Sequence, residues 1–174
     1  MMCLNLILMG VTSLILADAS GAEKDPWAPC RFLLGEWVGE GAGGPGQANG
    51  GFSVAPDLAG KILVRRNHAD YPAAGSRPAT RHEDLMVIYP NEEGKGLQAA
   101  YWDNEGHFIQ YSLQASGNPP ALTFISDSLP RAPRFRLTYR QIQTDKVAIK
   151  FEIAPPGKPD SFRTYLEGEV RRKN

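Results

Sequence analysis

Phe32-Leu33-Leu34-Gly35-Glu36-Trp37-Val38-Gly39-Glu40-Gly41-Ala42-Gly43 is an apolar lead-in followed by a glycine-laced strand, and its alternation decides the fold. Side chains two apart in a strand share a face. One face carries Gly35, Trp37, Gly39, Gly41 and Gly43; the other carries Glu36, Val38, Glu40 and Ala42. The glutamates require water, so the Trp37 face turns inward and presents one indole among glycines. Glycine inside a strand marks bending or a close approach. Two readings follow: the curvature of a barrel, or room left for a ligand.

Downstream, short strand patterns recur at 51–55, 61–69, 82–89, 96–102, 107–115, 121–126, 134–143, 146–153 and 162–171, after a first strand at 36–42. Turn residues separate them: Asn49-Gly50, Pro56-Asp57, Asn91 to Gly94, Asp103 to Gly106, Gly117 to Pro120, Thr144-Asp145 and Pro155 to Gly157. This spacing predicts an all-β, about ten-stranded antiparallel up-and-down barrel. A short helical turn at 32–34 precedes it. Trp27 is expected to pack against one barrel end, and the small, basic loop 72–81 to lie over one mouth.

Parity assigns the walls. The inward sets are Val147, Ile149, Phe151 and Ile153; Phe162, Thr164, Leu166, Gly168, Val170 and Arg172; Phe135, Leu137 and Tyr139; and His107, Ile109, Tyr111 and Leu113. Residues 61–69 are apolar on both faces, and one choice of parity places Ile62, Val64, Arg66 and His68 inside.

The chain has 174 residues, 42% of them hydrophobic, with 18 glycines and 14 prolines, which suits one domain rich in turns. Its 19 basic and 19 acidic residues leave no basic field for nucleic acid. Residues 1–22 read as a secretory signal peptide: an apolar run from Leu4 to Leu16, then small residues that permit cleavage after Ala19 or Ala22. The run is too short for a comfortable membrane span. The expectation is a secreted or periplasmic protein, with residues 23–34 as a lead-in, residues 35–174 as the barrel and no membrane span after cleavage. Cleavage would remove Cys3 and leave Cys30 alone, so no internal disulfide is expected. Oligomeric state is not legible.

Leu33 to Gly41 resembles the opening of the nitrobindin-type barrels, which stand with the lipocalins and fatty-acid-binding proteins in the calycin group. Gly35-x-Trp37 is similar to the lipocalin Gly-x-Trp signature, and the resemblance implies an Arg on the last strand covering the Trp; Arg172 has the position and parity. Ile88-Tyr89-Pro90, Tyr101 to Gly106 and Tyr165 to Arg172 resemble segments of secreted bacterial barrels of unknown function. The resemblance spans about residues 32–172. It implies a calycin-like barrel, and from the nitrobindin branch it implies haem on a late His. The three histidines here are His68, His82 and His107, none of them late, so haem is not carried over. His107 is the substitute that a haem reading would need.

No metal or cofactor is expected. His68 with Asp70, and His82 with Glu83 and Asp84, come nearest to clusters, and alternation is expected to split each across two faces. No Gly-x-Ser-x-Gly elbow or assignable triad occurs, which makes an enzyme the weaker reading. The expected activity is binding of a small, mostly apolar ligand, with Trp37, Gly39, Gly41, Arg66, His68, Tyr101, Tyr111 and Tyr139 as contacts and Trp37 with Arg172 as structural residues. Two other readings are a filled barrel serving a structural or interaction role in the cell envelope, and an enzyme acting on a small lipophilic molecule.

Overall fold

The computed structural model describes residues 25–40 and 49–173. The leader expected at 1–22 lies outside them, as do Gly41, Ala42 and Gly43. A 3-10 turn, Ala28–Leu33, leads into ten strands: β1 (Gly35–Gly39), β2 (Asn49–Asp57), β3 (Ile62–Tyr71), β4 (Thr80–Pro90), β5 (Leu97–Asp103), β6 (Phe108–Gly117), β7 (Pro120–Ser126), β8 (Arg134–Gln143), β9 (Lys146–Ala154) and β10 (Arg163–Arg172). They pair antiparallel in chain order, and β10 returns to β1 to close the barrel. Closure removes both sheet edges, which would otherwise offer unpaired backbone groups to another chain.

The 3-10 turn starts four residues before the expected helical turn at 32–34. Pro29 sits in its first turn, where a missing N–H is tolerated. Cys30 and Leu33 point from it into the core. Burial pushes the Cys30 thiol up to about 12, so at neutral pH it behaves as a small apolar side chain. Trp27 packs against the core edge and donates from its indole N–H to Gly60 O at 3.0 Å. The turn thus covers the lower end, where β2–β3, β4–β5, β6–β7 and β8–β9 connect.

The seam is where the quoted stretch meets the last strand. Trp37 pairs with Arg172, Val38 with Arg171 and Gly39 with Val170. The Arg172 guanidinium lies 4.4 Å from the Trp37 ring centre and donates to Leu34 O at 2.5 Å and Phe32 O at 3.2 Å. Trp37 Nε1 donates to Leu33 O at 2.8 Å. Gly35 sits at φ +110°, a backbone conformation that favours glycine, and a Cβ there would fall 2.7 Å from an Arg172 nitrogen and displace that head group.

Three parity expectations need correction. On β3 the inward residues are Leu63, Arg65 and Asn67, which oppose Ile88, Met86 and Asp84 of β4; Arg66 and His68 lie on the outer wall. The alternative parity would have turned Leu63 to water. On β10 a bulge at Tyr165 adds one residue between Thr164 and Leu166 and inverts the alternation before it. Phe162 therefore lies outside, beneath the Arg136 guanidinium at 4.2 Å, and Thr164 opposes the outward Glu152. Glu152, on the outer wall, is nevertheless buried, held in a two-pronged pair with Arg136 at 2.6 and 2.9 Å. His107 precedes β6, in the exposed turn after β5.

The lower and middle interior is packed. Trp37, Phe52, Tyr139, Phe124, Tyr111 and Tyr101 form one series of ring contacts with centroids 5.4–6.4 Å apart, from the seam to the upper half. Edge-on and offset pairs of this kind add to the burial of the rings themselves.

Candidate functional site

Inward side chains in the upper half are less covered. Leu166 opposes Phe151 on the inner face yet is 45% exposed. Gly168 opposes Ile149, and a Cβ built on it would meet nothing within 4 Å. Phe135, Phe151 and Ile149 pack against the core edge and stay partly accessible. Tyr139, Ile149 and Gly168 occupy one cross-strand row, so an apolar wall ends on a residue with no side chain beside open space.

The facing wall is polar. Arg65 and Asp84 form a buried pair, Nη1 to Oδ1 at 2.5 Å, and Asn67 donates to the other Asp84 oxygen at 2.7 Å. The Arg65 guanidinium also lies 5.3 Å from the Phe52 ring centre and 5.7 Å from that of Tyr139. Burial works against the Arg65 charge, but Tyr139 and Asp84 outweigh it and hold its pKa above the usual value. Arg65 Nε and the Tyr139 hydroxyl are buried without a hydrogen-bond partner.

Above this pair a chain of titrating groups runs to the surface. His82 Nε2 lies 3.4 Å from Asp84 and 3.3 Å from the Tyr101 hydroxyl, and its Nδ1 lies 2.9 Å from Glu105. Tyr101 donates to Asp103 at 3.2 Å, and Asp103 meets His107 Nδ1 at 2.8 Å. Burial would raise the Asp103 pKa, but the hydrogen bonds from His107 prevail and hold it low. Burial pushes the Tyr101 phenol far up, reinforced by the Asp84 and Asp103 charges, so it remains a donor at neutral pH. A surface cleft of about 350 Å³ lined by Tyr71, Thr80, Arg81, His82, Asn104 and Glu105 opens onto His82.

Of the expected contacts, Tyr101, Tyr111 and Tyr139 converge inside the barrel. Trp37 is fully packed and holds the seam. Gly39 gives close strand approach instead of ligand room: a Cβ there would lie 3.2 Å from Gly50 O. Arg66 and His68 are outside, and Gly41 is beyond the described residues. His82 and Asp84 share the inner face, contrary to the expected split, because residues two apart in a strand point the same way. His68 and Asp70 share the outer face for the same reason. Among the described residues, no group of three or more His, Cys, Asp or Glu is arranged to hold a metal ion. The sequence reading missed Arg65 and Asn67, and it set Asp84 aside as part of a cluster split across two faces. Their signal was Asp84 itself, a charge on the apolar face of β4 that calls for a partner.

No protein-family model matches the chain, and no curated protein matches it in sequence. The closed ten-stranded barrel stands on its strand register alone.

Proposed function

We propose that this protein binds a small, mostly apolar molecule in the upper half of its barrel, and that it does so as a secreted or periplasmic protein. The observation that carries the reading is the accessible inner wall of Phe151, Leu166 and Gly168 above a packed floor. Ligand sites combine mainly apolar walls with a few placed polar groups, and the inner face carries both, with Ile149, Phe151 and Leu166 on one wall and Arg65, Asn67 and Asp84 on the other. An eight- to ten-stranded barrel has room for one small molecule or for its own side chains. Gly35-x-Trp37 and the Arg172 that covers it support a place beside the calycins. The export reading rests on the apolar run ending in small residues at 17–22.

A filled barrel with a structural role is the second reading, favoured by the aromatic series through the lower interior. Catalysis is weaker support for the same geometry, because a phenol pushed upward, as Tyr101 is, makes a poor base at neutral pH.

The test is fluorescence titration with N-phenyl-1-naphthylamine, together with native mass spectrometry of protein purified from its own host. The expected result is saturable, one-to-one enhancement that Gly168→Phe abolishes while thermal stability is kept. Absence of binding in the parent protein, with no co-purified small molecule, would overturn the binding reading in favour of the filled barrel.

A further inference from the structure

This inference rests on the binding reading and concerns the chemistry of the ligand's inner end. Arg65 reaches from β3 into the lumen, where its Nη1 meets Asp84 and its face lies against Phe52 and Tyr139. Its Nε and the Tyr139 hydroxyl are both buried and unpartnered. Buried polar atoms are paired in nearly all native proteins, so two orphans on neighbouring side chains point to a partner that the polypeptide does not supply. Tyr139 stands in the row that ends at Gly168. One orphan atom therefore belongs to a side chain in the same cross-strand row as Ile149 and Gly168, next to the accessible apolar wall.

Charge narrows the partner. Asp84, 4% exposed, already balances Arg65. Asp103 and Glu105 add negative charge toward the mouth, faced by His82 and His107. A carboxylate would be brought beside Asp84 without its counter-ion, which low-dielectric surroundings penalise heavily. An uncharged oxygen accepts from Arg65 Nε and pairs with the Tyr139 hydroxyl without adding charge. Burial keeps that hydroxyl protonated, with its pKa pushed up to about 12.

We propose that Arg65 Nε and the Tyr139 hydroxyl hold an uncharged oxygen, a hydroxyl or carbonyl, of an otherwise apolar ligand whose body lies along Ile149, Phe151 and Leu166. The test uses the full barrel with N-phenyl-1-naphthylamine bound and follows its displacement by decan-1-ol and by decanoate at pH 7.5. Decanol is expected to displace the probe at a concentration at least about tenfold below that of decanoate. Tyr139→Phe should weaken decanol about three- to tenfold, the effect of one net hydrogen bond. The loss for decanol should exceed any change in probe affinity, and the ligand-free melting temperature should be unchanged or higher. Decanoate binding as tightly as decanol, or Tyr139→Phe sparing decanol, would overturn the polar site and leave the binding reading standing. A structural water bridging the two atoms would show as a lower ligand-free melting temperature for Tyr139→Phe with decanol unaffected, and this also overturns the proposal. If the probe never binds the parent protein, the binding reading itself falls.

Discussion

Arg172 ties the last strand to Trp37, Leu34 and Phe32 with one side chain. A cation over an indole is worth about 0.5–2 kcal/mol, and the arginine stem adds packing. Arg172→Ala should therefore destabilise by about 1–3 kcal/mol in urea melts. Arg171, one position away, faces water and pairs with Glu40, so Arg171→Ala should lose less than half as much. Equal losses would show the seam out of register. This pair was legible because alternation runs unbroken from Leu166 to Arg172, with Glu167, Glu169 and Arg171 marking the wet side. Arg65 was not legible. In Ile62-Leu63-Val64-Arg65-Arg66 both faces read alike, and what selects Arg65 is Asp84, nineteen residues on. A side chain's direction is written locally only where its strand carries a polar face; elsewhere a neighbouring strand decides.

The elements show the same division. Turn chemistry separated the strands, but the β2–β3 turn falls beyond Pro56-Asp57, at Leu58-Ala59-Gly60, with φ +47°, +54° and +79°. Left-handed backbone disfavours side chains such as Leu and Ala by about 1–2 kcal/mol per residue. Asn and Gly are the residues such a turn prefers. The double variant Leu58→Asn, Ala59→Gly should stabilise by about 0.5–1 kcal/mol, read as a higher melting temperature with unchanged binding of the naphthylamine probe. A fall in melting temperature would mean that Leu58 contributes packing despite being 66% exposed. The bulge at Tyr165 escaped the sequence reading because an inserted residue leaves no signature of its own: Phe162 and Thr164 alternate with Leu166 as though the strand were regular.

At the scale of the whole molecule, ionisable groups set a stability window bounded on both sides. Asp103 and Glu152 have folded pKa values below the usual range, the latter through the Arg136 bond. Their contribution is present above the unfolded value near 4 and is lost as pH falls through the lowered folded values. Tyr101, Tyr111 and Tyr139 have folded values raised by burial, Tyr139 to about 12. Their contribution is present below the unfolded phenol value of about 10 and is lost as pH rises through the folded values. Melting temperatures from pH 3 to 11 should fall at both ends, and phenolate absorbance from the buried rings should appear together with unfolding. Smooth ionisation before unfolding would place these rings in contact with water. The seam bears on a different property. Closure joins residues more than 130 positions apart through the five-residue β1. So long a loop makes it a late event in folding, after the consecutive hairpins have formed. Arg172→Ala should then accelerate unfolding in a chevron while leaving the refolding limb nearly unchanged. Seam contacts would thus govern how long a closed barrel lasts once made, and a protease meeting this protein would be timing the seam.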